Sequence, residues 1–162
     1  MNVEQLVDAF ADATGIGPLS PIDGVWKFSA DDHVFGVTTD ESDEKLFLFA
    51  ELPSPPPERE PAFRKAVLEA NFFGRGTCGA VFSINPDTGA YALVLSKPLA
   101  GLLPDSFFVL VEKFVNTLAS WKGILAAIQP HSEQYSKPNT PQPEPEPQEY
   151  SPDFFNLDFI RI

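Results

Sequence analysis

Cysteine occurs once in the 162 residues, at Cys78, so no disulfide can form within the chain and a reducing compartment is the expected setting. Histidine occurs twice, at His33 and His131. One falls in a short polar connection and the other opens a proline-rich stretch, so neither is placed as a base for a Cys78 nucleophile. Basic residues are scarce: 11 Lys and Arg stand against 23 Asp and Glu, for a net charge of −12. Such a chain repels phosphate backbones, which argues against nucleic acid as a partner. No stretch approaches the roughly 18 apolar residues of a spanning helix, so no membrane insertion is expected. The opening Met1-Asn2-Val3-Glu4-Gln5-Leu6 lacks the basic start and apolar block of a signal peptide, and a cytoplasmic location is expected. The acidic cluster Asp40, Glu41, Asp43, Glu44 lacks the Asp-x-Asp-x-Asp-Gly spacing and distal Glu of a calcium loop and reads as a solvated turn. With no paired carboxylates, no metal-ligand spacing and no triad, the residues point to no enzyme, no metal and no cofactor.

Apolar residues are plentiful, at 43%, which is a globular composition. The length suits one domain with a real core. Residues 1–129 alternate apolar segments with turn signals and form that expected domain. Residues 130–152 change character: Pro130, Pro138, Pro141, Pro143, Pro145, Pro147 and Pro152 interleave with Glu, Gln, Ser and Asn. Proline at this density removes hydrogen-bond donors and favours extended, solvated chain, so a disordered linker is expected there. Residues 153–162 are strongly apolar again, with Phe154, Phe155, Leu157, Phe159 and Ile160, and read as a C-terminal peptide with a docking site of its own to find. One expectation is that it adds as a strand to the surface that binds a partner and competes there; the other is a docking peptide for a further protein component, or a disordered end.

Within residues 1–129 the spacing of Val3, Leu6, Val7, Phe10 and Ala13 predicts an amphipathic helix, closed by Gly15. Three strands follow at Val25–Ser29, Val34–Thr39 and Lys45–Leu52. In the third, Leu46-Phe47-Leu48-Phe49-Ala50 is apolar on both faces, so both need cover, from the domain itself or from a partner. After Pro53–Pro57, Glu60–Asn71 reads as a second helix with Pro61 tolerated in its first turn. A hairpin of Ala80–Ile84 and Ala90–Leu95 follows, around Asn85-Pro86-Asp87-Thr88-Gly89, which suits a type I turn ending in a left-handed residue. The last helix runs from Pro104 to about Ile128, with Phe107, Leu110, Val111, Phe114, Leu118, Trp121, Leu125 and Ile128 on one stripe. The fold class is α+β: an antiparallel sheet packed with helices in the order α-βββ-α-ββ-α.

The stretch Leu68-Glu69-Ala70-Asn71-Phe72-Phe73-Gly74-Arg75-Gly76-Thr77-Cys78-Gly79-Ala80-Val81-Phe82 resembles the signature of the class I type III secretion chaperones, the Tir-chaperone-like (CesT) family. That signature is a helix ending in Leu-x-x-Asn-aromatic, then glycines, then a strand opening Gly-Ala. The hairpin turn and the late helix with Phe114 and Trp121 are similar too, and the resemblance covers residues 2–128. It implies a bacterial cytoplasmic homodimer that takes the extended N-terminal segment of a secreted effector and keeps it secretion-competent, without nucleotide or metal. It also implies a secretion ATPase or another apparatus component as a further partner. The alternative of the same fold is a regulatory module that sequesters a transcriptional regulator or antiactivator.

Residue by residue, the resemblance places the dimer interface on the second helix, at Phe63, Val67, Ala70, Asn71 and Phe72. It places effector contacts at Val3, Leu6, Phe10, Phe35, Phe47 and Phe49. Each has a plainer reading. Val3, Leu6 and Phe10 also fit an ordinary core face, and Phe47 and Phe49 also fit burial under the last helix. Gly74, Gly76 and Gly79 follow a helix and precede a strand, with no Lys-Ser/Thr pair behind them, so they form a structural loop and not a phosphate cradle.

Overall fold

The computed structural model describes residues 1–30, 32–74 and 76–128. The proline-rich residues 130–152 and the peptide at 153–162, with its expected docking residues Phe154, Phe155, Leu157, Phe159 and Ile160, lie outside the described residues.

The first helix, α1 (Val3–Thr14), begins where Asn2 accepts the main-chain N–H of Gln5 and Gln5 returns a bond to the N–H of Asn2. Two of the four orphan donors of the helix start are thereby satisfied. It ends at Gly15, whose left-handed φ of 71° closes the last turn. The strands β1 (Trp26–Ala30), β2 (His33–Thr39), β3 (Lys45–Glu51), β4 (Val81–Ile84) and β5 (Tyr91–Pro98) form one antiparallel sheet in the order β1-β2-β3-β5-β4. Pairing of β1 with β2 runs out to Ala30↔His33, a pair further than the polarity of the connection suggested. Between β4 and β5, the Gly89 N–H donates to the Asn85 carbonyl at 2.8 Å and Gly89 has φ 70°, the expected left-handed close.

Strand alternation puts Trp26, Phe28, Phe35, Val37, Leu46, Leu48, Ala50, Phe82, Tyr91, Leu93 and Leu95 on one face, where all are buried. The register lines up Val37↔Leu48 and Leu48↔Leu95 across three strands. All three helices cover this face: α1, α2 (Glu60–Asn71) and α3 (Pro104–Ala127). Phe10 of α1 meets Phe28 edge-on at 5.5 Å between centroids, Phe114 of α3 meets Phe35 at 6.2 Å, and Phe63 of α2 meets Tyr91 at 4.8 Å. The α3 stripe is buried at Phe107, Val111, Phe114, Leu118 and Leu125, and half-buried at Leu110, Trp121 and Ile128. Each fully buried ring in it contributes about 1.5–3 kcal/mol. Among the described residues the fold is therefore a two-layer α+β sandwich with helices on one face, and none of these residues forms a layer over the other face of the sheet.

Candidate functional site

The uncovered sheet face carries Phe47 and Phe49 of β3, half-buried, beside Val94 of β5, while their neighbours Leu46, Leu48 and Ala50 point into the core. Gly36 of β2 pairs with Phe49. A Cβ on Gly36 would lie 2.5 Å from the Cζ of Phe49, so the ring lies flat on bare backbone, and only glycine permits that approach. Phe47, Phe49, Ala92, Val94 and Ile84 line a shallow cleft of about 260 Å³ that crosses the sheet towards β4. Apolar rings on an open sheet face suit an extended chain that lays alternate side chains across them.

The other residues expected to touch an effector sit differently. Leu6 (0% exposed), Phe35 (2%) and Val3 are core residues of the domain itself. Phe10 is half-buried in an aromatic cluster with Phe28, Phe107 and Phe108, of which Phe108 is exposed. The structure thus brings Phe47 and Phe49 together on one surface, with Phe10 on the opposite layer. An amphipathic pattern reports that a face is covered, not whether the cover is intramolecular.

On α2, Phe63, Val67 and Ala70 are buried in the domain's own core. Asn71 is half-buried and serves β4: its Nδ2 donates to the Phe82 carbonyl at 3.0 Å and its Oδ1 accepts from the Phe82 N–H at 2.7 Å. For one residue of this edge strand, Asn71 does what a neighbouring strand would do. Glu60 ties the start of α2 to the sheet, accepting from Arg64 and, at 2.9 Å, from the Tyr91 hydroxyl. These donors, Arg64 first, hold the Glu60 carboxyl below its ordinary pKa.

The exposed apolar side of this region is one that sequence reasoning only partly named: Phe72 (63% exposed) with Leu68 (62%), Phe73 (84%), Val81 and Ile84. Phe73 holds φ 59°, a left-handed conformation that a bulky side chain rarely adopts, and its ring lies 4.4 Å from that of Phe72. Leu68, Asn71, Phe82 and Ile84 help to line a cleft of about 310 Å³ between α2 and β4. Exposed apolar side chains in this region, with one strained aromatic, Phe73, among them, are of the kind that a partner covers.

Among the described residues, no group of three or more His, Cys, Asp or Glu could hold a metal ion, and no helix is long and apolar enough to cross a membrane. Cys78 is exposed, in the loop where the Trp121 indole donates to the Gly76 carbonyl at 2.9 Å.

Three helices on one face of a five-stranded antiparallel sheet define the α+β architecture, and solved structures share it. A chain in the structure of the HopA1–SchA chaperone–effector complex matches with a TM-score of 0.59 at 17% identity, over 74% of this chain and 92% of that one. A chain of the ExsC–ExsE complex matches with a TM-score of 0.64 at 19% identity, over 77% and 97%. A chain of the ExoT–SpcS complex from Pseudomonas aeruginosa matches with a TM-score of 0.56 at 16% identity, over 74% and 98%. No curated protein sequence matches. The profile of the Tir chaperone protein (CesT) family matches residues 5–122, and the chain belongs to that family.

Proposed function

We propose that this chain is a type III secretion chaperone that binds an extended N-terminal segment of a secreted effector and keeps it soluble and secretion-competent. The observation that carries the reading is the uncovered sheet face, with Phe47 and Phe49 half-exposed, in a member of the CesT family. Apolar rings spread across an open sheet face favour an unfolded segment over a folded partner, because an extended chain can set alternate side chains against them. The complexes named above are of effectors with chaperones in the HopA1–SchA case, and that pairing is what is carried over to this chain. The chain is read as a binding protein without catalytic groups, working in the bacterial cytoplasm.

A homodimer belongs to the same reading. Its proposed interface is the patch of Leu68, Phe72, Phe73, Val81 and Ile84, since Phe63, Val67 and Ala70 are already buried within one protomer. The experiment is capture of the partner from the native bacterium with tagged full-length protein. It is followed by titration of the captured protein's N-terminal segment against wild type and Phe49→Asp. Binding by wild type that is lost in Phe49→Asp, with unchanged circular dichroism and only modest salt dependence, is the expected result. A segment bound equally by both proteins would contradict the assignment of the site. A captured transcriptional regulator in place of an effector would support the regulatory alternative.

A further inference from the structure

The central strands β2 and β3 do not stay together along their length. Their pairing stops at Gly36↔Phe49, while β2 continues beside β1 to Ala30↔His33 and β3 continues beside β5 to Glu51↔Ala92. The start of β2 and the end of β3 therefore diverge, and a cleft of about 420 Å³ opens between them, walled by Val34, Phe35, Phe49 and Ala50, with Asp32 and Glu51 balanced by Lys27 and Lys122 around it. Among the described residues, 34–35 and 50–51 have no strand partner across this cleft, so their main chain suits pairing with an added extended segment.

Lys122 of α3 lines this cleft and also a second, smaller one of about 150 Å³. The second is walled by the Pro53–Pro56 loop, Phe63 and Leu125, and its charged residues are Arg59 and Lys122, both cations. Neither cation belongs to either of the two ion pairs found among the described residues, Arg64–Glu60 and Lys65–Glu69. Lys122 Nζ lies 3.0 Å from His33 Nδ1, a contact that uses one of its three donors. Arg59 reaches the Ala126 carbonyl at 3.5 Å, but its Nε is buried with no acceptor among the described residues. A buried donor left unmade is costly, and a carboxylate is the acceptor that best repairs it next to an ammonium. In a chain of net charge −12, an apolar cleft whose charged residues are both positive is a local reversal of sign.

We infer that the Arg59–Lys122 cleft receives a carboxylate side chain of an extended, otherwise apolar peptide segment, whose backbone enters through the divergence of β2 and β3. The inference rests on the peptide-binding reading above and adds a specificity to it. The partner segment carries an acidic residue among apolar ones, although the overall charge of the protein disfavours acidic ligands.

The test is selection of binders from a random peptide library displayed on phage. The targets are full-length wild type, Arg59→Gln, Lys122→Gln and, as a charge-matched control on exposed α3 surface, Lys113→Gln. Wild type and Lys113→Gln are expected to select peptides with Asp or Glu at one fixed position beside apolar residues. Arg59→Gln and Lys122→Gln are expected to select apolar peptides without it. In fluorescence anisotropy, replacing that Glu by Gln in a selected peptide is expected to weaken binding to wild type about tenfold, as loss of a charge-assisted hydrogen bond should. The two peptides should bind Lys122→Gln equally. Apolar binders with no acidic preference, or a preference that survives both cation substitutions, would overturn this inference and leave the peptide-binding reading standing. Failure to select any peptide would remove both.

Discussion

Replacing Asn71 tests the part of the structure that links the family signature to the sheet. Its side chain makes two hydrogen bonds to one residue of an edge strand, at 3.0 Å to the Phe82 carbonyl and 2.7 Å from the Phe82 N–H. Each is worth about 0.5–1.5 kcal/mol net, and both are partly buried, so Asn71→Ala should cost about 2 kcal/mol. For a domain of this size that corresponds to a fall in Tm of roughly 5–10 °C. Calorimetry at fixed protein concentration, so that dimerisation does not shift the midpoint, measures the loss. Amide exchange at Phe82 should quicken at the same time. Asn71→Leu keeps the volume and removes the hydrogen bonds, so it should lose as much as alanine. Full stability in the leucine variant would mean that packing, not pairing to β4, is what Asn71 supplies, and would refute the reasoning.

Leu68→Glu puts a carboxylate in the centre of the proposed dimer patch without touching the core, since Leu68 is exposed. Light scattering should show monomers with a nearly unchanged melt, and a dimer that persists would move the interface elsewhere. Asp40 accepts the main-chain N–H groups of Lys45 and Glu44 at 3.0 and 2.8 Å, and these bonds, Lys45 first, hold its pKa below the ordinary value. The folded form is favoured by this group above the ordinary carboxylate pKa of about 3.9, and that advantage is lost as pH falls through the lowered value. An NMR titration midpoint for Asp40 at or above the free value would contradict this. Deleting residues 153–162 should strengthen binding of the effector segment if that peptide competes for the same surface, and equal affinities would dismiss the competition.

Much of this was legible in the sequence because local signals agreed. The α1 and α3 periodicities, Gly15, Pro61 and the Asn85–Gly89 turn each name one element, and the observed bounds of α2 are the expected Glu60–Asn71. What stayed closed is which apolar side chains find cover at home. In β3 the sequence shows two apolar faces; only the placement of all three helices on one layer separates Leu46, Leu48 and Ala50 from Phe47 and Phe49. In α2 the same ambiguity hid the inward turn of Phe63, Val67 and Ala70, and left Leu68 and Phe73 unnamed as outward residues. The role of Asn71 depends on a contact with Phe82 across a glycine loop, which no periodicity reports. The divergence of β2 from β3 is likewise a property of register, invisible until the pairs are known.

Hydrogen–deuterium exchange of the full-length protein, with and without the N-terminal segment of its captured effector, tests the central claim most directly. Binding of an extended chain that pairs where β2 and β3 diverge predicts new protection at residues 34–35 and 50–51, with the α3 core around Phe114 unchanged because it is already closed to solvent. Saturating binding without any change at 34–35 and 50–51 would contradict the account.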